Sequence, residues 1–245
     1  MRIRRPLLVL GFTGFVVAAT HRVNAATPWE VEGGGYGGGG TGHVACGPDV
    51  RVGYAGLGGQ LHYAGRREDQ AVGFGFDVGA VGEGQRQQPV DCNGSSCNQY
   101  YASGLGTAGY ARAGFDLRYF GLRLGAMSFL EPSNGGGFHV VPLPCGELRA
   151  GRLDGARVTL GLGSYDLPSI MRPGVYLGLG IPTGGGWELG GHLGIHYLTQ
   201  DTTALRETLT VRAPLSESLW LRTDLAVVES EGAGGDFTVG VGGGF

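Results

Sequence analysis

The last nine residues, Phe237-Thr238-Val239-Gly240-Val241-Gly242-Gly243-Gly244-Phe245, decide how the rest of the chain is read. Phe237, Val239, Val241, Gly243 and Phe245 fall on one side of an extended strand, and Thr238, Gly240, Gly242 and Gly244 on the other. A period of two marks a β-strand with one apolar face, because successive side chains leave opposite sides of the pleat. The pattern recurs upstream. Trp187, Leu189, Leu193, Ile195 and Tyr197 alternate with Glu188, His192 and His196, and Val72, Phe74, Phe76 and Val78 face away from Asp77. Leu205, Leu209 and Val211 likewise face away from Arg206 and Arg212, and Leu219, Leu221, Leu225 and Val227 from Arg222 and Asp224.

Composition agrees. Of 245 residues, 52 are glycine and only 16% are charged. Glycine costs about 1 kcal/mol at each helix-interior position, so long helices are excluded. The absence of a strict Gly-X-Y period excludes collagen, and the low charge excludes a charged disordered chain. The chain holds no lysine and carries a formal charge of −3, which gives nucleic acid no electrostatic foothold.

Arg2, Arg4 and Arg5, the apolar run 6–19 and the small residues Val23-Asn24-Ala25 have the layout of a secretory signal peptide. Cleavage is expected after Ala25, leaving 26–245 as the exported domain. Arg22 departs with those three arginines while all 21 acids stay, so the exported chain is more acidic still.

Alternation alone fits both a soluble sandwich, with polar faces outward, and a membrane barrel, with apolar faces outward. The signal peptide and a last strand ending in Phe245 resemble bacterial outer-membrane β-barrel proteins. In those proteins the barrel-assembly machinery reads such a strand. The resemblance implies that Phe237, Val239, Val241 and Phe245 form the assembly signal, and that outer-membrane lipid and the machinery are partners. The expected fold is an all-β, antiparallel up-and-down transmembrane barrel. Its strands are placed at 29–38, 50–64, 71–83, 100–117, 119–130, 146–152, 156–164, 174–182, 187–198, 205–214, 218–229 and 236–245. Merging the hairpin after Cys145, or the one at Arg118, gives ten strands instead of twelve. With twelve, both termini face the periplasm; the odd connections are long and outside, the even ones short. Trp29, Trp187, Trp220, Tyr63, Phe120 and Phe245 then form a periplasmic aromatic girdle, and Tyr36, Tyr101, Phe129 and Tyr197 lie near the outer rim.

The polar faces would line the lumen. Their acids are Glu30, Glu32, Asp77, Asp116, Glu147, Glu188 and Asp224. Their bases are Arg51, Arg112, Arg123, Arg149, Arg157, Arg206, Arg212 and Arg222, with His192 beside them. Near-equal numbers of opposite charges in a narrow interior predict pairing. The pairs either knit across and close the lumen or line a narrow water path. The four cysteines fall in outer connections of an exported chain, so two disulfides are expected: Cys92–Cys97 across a short loop and Cys46–Cys145 between distant ones.

Little in the sequence points to chemistry. His192 and His196 share a strand face without a third group to make a metal or general-base site. Asp166 and Asp201 stand in outer connections, where an omptin-like protease keeps its acids. Ser133-Asn134-Gly135 is similar to the end of the His-x-Ser-Asn-Gly motif of outer-membrane phospholipase A, as Tyr197-Leu198-Thr199-Gln200 is to that family's Tyr-Thr-Gln stretch. Glu131, however, stands where the histidine belongs, leaving Ser133 without a base. No cofactor or metal is expected. The reading that follows is a non-enzymatic outer-membrane barrel, acting as a narrow passive pore or a structural and surface protein. The alternatives are a barrel enzyme working on lipid or peptide at the outer rim, and a secreted soluble glycine-rich β domain.

Overall fold

The computed structural model describes residues 29–43, 49–65, 72–90, 102–132, 138–152, 155–163, 174–197, 203–229 and 233–245. They form twelve antiparallel strands: β1 (Trp29–His43), β2 (Asp49–Ala64), β3 (Val72–Pro89), β4 (Ala102–Leu117), β5 (Phe120–Pro132), β6 (Phe138–Gly151), β7 (Arg157–Leu162), β8 (Gly174–Gly184), β9 (Trp187–Tyr197), β10 (Thr203–Pro214), β11 (Leu219–Glu229) and β12 (Ala233–Gly244). Each pairs with its sequence neighbours, and β12 returns to β1 to close the barrel. The closing seam runs in register from Glu30↔Gly244 to Gly40↔Gly234. Twelve strands, not ten, make the wall.

Each strand's apolar set faces outward. Leu57 is 74% exposed and Leu105 78%, and Phe74, Leu124, Leu160, Leu177, Leu193, Leu225, Phe237 and Val241 are exposed with them. Water does not tolerate an apolar band running round a whole barrel. With every strand paired, no backbone edge is left for lipid to strand unsatisfied. The wall is therefore that of a membrane-spanning barrel, and the soluble reading fails on the direction in which the leucines point.

Four strands exceed their expected bounds by three residues or more. β1 continues to His43 and β3 to Pro89, β6 begins at Phe138 rather than 146, and β12 begins at Ala233. These extensions lie at the end away from the termini. Beyond the hydrocarbon layer neither face of a ladder has to be apolar, so pairing persists after the apolar alternation has stopped. The turn between β8 and β9 places Gly185 and Gly186 at positive φ (60° and 83°), as a two-residue hairpin loop matched to strand twist requires.

The expected aromatic girdle forms only in part. Trp29 contacts Tyr63 (ring centroids 4.7 Å apart), Phe76 (5.4 Å) and Phe245 (6.4 Å, parallel), forming a cluster at the terminus end. Trp187 and Phe120 are exposed there. Trp220 and Tyr36 instead point into the barrel and are buried, because each shares parity with its strand's polar set.

Candidate functional site: the barrel lumen

Among the described residues, the inward side chains pair in several ionic clusters. On β3–β8, Arg112 lies 3.5 Å from Asp77 and 3.2 Å from Glu147. The Tyr176 hydroxyl, from β8, donates to the same Glu147 carboxylate at 2.9 Å. Asp116 accepts from both Arg123 and Arg149, the latter at 3.0 Å, and His62 joins Asp77. On the opposite side, Arg206 holds Asp236 through both terminal nitrogens (2.5 and 2.7 Å), and the Tyr54 hydroxyl donates to that carboxylate. Arg222 donates to Asp224 (3.1 Å) and to Glu32 (3.4 Å), while Trp220 Nε1 donates to Glu32. Arg157–Glu188 (2.6 Å) and Arg212–Glu30 (3.5 Å) lie where side chains are partly exposed.

The expected inward residues Asp77, Arg112, Asp116, Arg123, Arg149, Arg206, Arg222 and Asp224 are all buried. Arg51 is not among them. Its parity on β2 is that of Leu57, and it is exposed on the outer face. Asp236 and Glu83 are buried in the interior as well. Asp236 shares a face with Thr238, and Glu83 continues the phase of Asp77, so the alternation itself would have found both.

Most ion pairs reach over one intervening strand and stay close to the wall. Inward glycines are what permit this. A Cβ at Gly161 would collide with the Tyr176 ring, one at Gly242 with the Trp220 indole, one at Gly75 with the Arg123 guanidinium and one at Gly56 with Tyr36. Each glycine is a flat seat on which a large neighbour lies down. Arg212 completes one such stack, with its guanidinium carbon 3.5 Å from the Trp220 ring centroid.

Beside the polar networks, Tyr36, Val81, Tyr110, Met127 and Cys145 form a buried apolar cluster, with Tyr54, Ala108 and Leu143 against it. Tyr36 donates to Glu83 at 2.9 Å and Tyr110 to Gln60 at 3.1 Å. Cys145 therefore lies within β6, facing the lumen, and not in an outer connection. Its thiol is unpaired there, and Cys46, the partner expected from the sequence, lies outside the described residues. The third outer connection, expected over 131–145, is cut short because β6 already begins at Phe138. Cys92 and Cys97 also lie outside the described residues. In the folded barrel, Cys145 is expected to resist a membrane-impermeant maleimide and to react after denaturation in urea. Mass spectrometry of Cys145 peptides checks this, and rapid labelling of the native protein would count against the buried placement.

His196 is buried, and His192 packs edge-on to Tyr176 at 5.7 Å between centroids. Among the described residues no three His, Cys, Asp or Glu side chains stand together as a metal site. Ser133, Asn134, Gly135, Asp166 and Asp201 lie outside the described residues.

No protein-family model matches the chain, and neither does any curated protein sequence. Among solved structures, the translocator domain of autotransporter NalP from Neisseria meningitidis is similar at 12% identity, covering 91% of this chain and 90% of that one, with a TM-score of 0.43. The TodX deltaS2S3 mutant monoaromatic hydrocarbon channel is similar at 9% identity, covering 90% and 91%, with a TM-score of 0.47. The beta domain of the Bordetella autotransporter BrkA is similar at 15% identity, covering 91% and 100%, with a TM-score of 0.42. At this level of likeness they bear on neither the family nor the function of this chain.

Proposed function

We propose that this protein is an integral outer-membrane β-barrel without catalytic activity, and that it works as a narrow passive pore. One observation carries the reading: the charges that line the lumen are spent on one another. A wall built to attract one class of ion keeps a ring of like charges exposed to the bore. Here Asp77, Arg112, Asp116, Arg123, Asp224 and Arg222 are paired and buried, which leaves a bore with little ionic preference. Twelve strands lie between the filled eight-stranded barrels and the open porins, and large side chains seated on the wall narrow the bore further. The signal-peptide layout of residues 1–25 supports export. The apolar band and the strand ending in Phe245 support residence in outer-membrane lipid and delivery by the barrel-assembly machinery, with Phe237, Val239, Val241 and Phe245 as the segment that is read.

Planar-bilayer recording of the refolded protein tests the pore. Small, weakly ion-selective steps are expected, well below those of a sixteen-stranded porin. Replacing Arg112 and Glu147 together by alanine removes both halves of one pair and is expected to raise the unit conductance several-fold. Silence from both proteins would favour the structural and surface role, and steps of porin size in the unmodified protein would contradict a constricted bore.

A further inference from the structure

The outward turn of Arg51 is a feature that the lumen does not explain. Arg51 on β2 and Arg86 on β3 both face outward, exposed, on the side of the wall that carries Leu57 and Val78. Arg51 stands opposite Gln88, and Arg86 opposite Gly53, so the two arginines are diagonal neighbours on adjacent strands. Gln88, in the amide orientation that gives both groups partners, accepts from Arg86 Nη2 and Nε (2.9 and 2.8 Å). The arginines border a hollow of about 420 Å³ in the outer wall, whose floor includes Gly39, Gly53 and Ala233. Among the described residues, Asp49 is the carboxylate that shares this face, one pleat above Arg51; Glu83 points inward to Tyr36.

Depth identifies what can meet these cations. Arg51 is twelve residues along β2 from Tyr63, and Arg86 ten along β3 from Phe76, both in the lower aromatic cluster. At roughly 3.3 Å per residue and a tilt of about 40°, that is roughly 25–30 Å of height. The apolar band of such a barrel is about 25 Å tall. The arginines therefore sit at the outer-leaflet headgroup level, facing lipid. Arg86 keeps Nη1 beyond its two bonds to Gln88, and with the Arg51 guanidinium it borders one hollow; guanidinium donors of this kind match phosphate oxygens, and the glycines lining the hollow leave room for the group that carries them.

We propose that this hollow binds the phosphate groups of the phosphorylated glycolipid of the outer leaflet. The proposal rests on outer-membrane residence but not on pore activity. The test uses the folded barrel in maltoside micelles, titrated with doubly phosphorylated lipid A, with the same glycolipid after phosphate removal, and with inorganic phosphate. Binding of the phosphorylated lipid is expected to be at least tenfold tighter than that of the dephosphorylated one, and to weaken as salt rises. The Arg51→Gln/Arg86→Gln protein is expected to lose at least tenfold, and the corresponding double lysine substitution to lose less. Heat-modifiable migration on gels confirms folding of each variant; if the double glutamine variant does not fold, the single ones are read. Equal binding of both glycolipids, unchanged binding by the folded glutamine variant, or inorganic phosphate saturating the site at the lipid's concentration would each overturn the proposal. Loss of heat-modifiable migration in the unmodified protein would instead remove the membrane-barrel reading beneath it.

Discussion

A Gly34→Val chain is expected to yield no closed barrel. Gly34 sits on the β1–β12 seam opposite Gly240, with its α-hydrogen side turned inward. A Cβ there would overlap the Val239 carbonyl and the Gly240 backbone. The obstacle is backbone, which cannot rotate away as a side chain can, so the two strands must part. Parting them exposes unpaired N–H and C=O groups to hydrocarbon at several kcal/mol each, along a seam of eleven residue pairs. Loss should be all-or-none: no heat-modifiable species on refolding and no protease-resistant core. Gly33→Ala is the control. Gly33 faces outward, and its Cβ would meet only the Gly58 carbonyl oxygen at 3.6 Å, an ordinary contact. That variant should fold. Equal folding of both would mean that the seam does not close as described.

Asp116→Asn is expected to destabilise the folded barrel by about 3 kcal/mol. Asp116 is 2% exposed and is shared by Arg123 and Arg149. Removing a buried acid from its pair typically costs about 3–5 kcal/mol, because the cation stays behind in a low dielectric. Two details put this case at the lower end. Arg123 Nε remains 3.8 Å from Asp77, and Arg149 still donates to the Gly151 carbonyl. Urea unfolding in detergent micelles measures the loss. Adding Arg149→Gln to Asp116→Asn should recover part of it, since the stranded charge goes with the arginine. If the double variant is simply the sum of two independent losses, the shared-acid arrangement is wrong.

These outcomes depend on glycine in opposite ways. At the seam, glycine is needed because strands approach closely; in the lumen, at Gly161 and Gly242, it is needed because a ring lies across it. Composition announces both as one excess of glycine. Only the register shows which neighbour occupies the missing Cβ's place.

The alternation of Phe237 to Phe245, repeated along the chain, was enough to place twelve strands and to state which residues share a face. Hydrophobic period is local, and every strand crossing the apolar band must obey it. The sequence also named most of the buried charges, since a charge in phase with glycines and out of phase with leucines has only the interior to go to. What it could not say is where strands stop. Outside the bilayer nothing forces one face to be apolar, so β1, β3 and β6 ran on through glycine, glutamine and proline and carried Cys145 from an expected loop into the wall. Nor could it pair the charges. Asp116 meets Arg149 across 33 residues once β4, β5 and β6 pair in register, and Glu32 meets Arg222 across 190, a distance that only closure at the β1–β12 seam removes. The outward turn of Arg51 was decided the same way: its phase against Leu57 was readable, but its place beside Arg86 exists only once β2 and β3 stand in register.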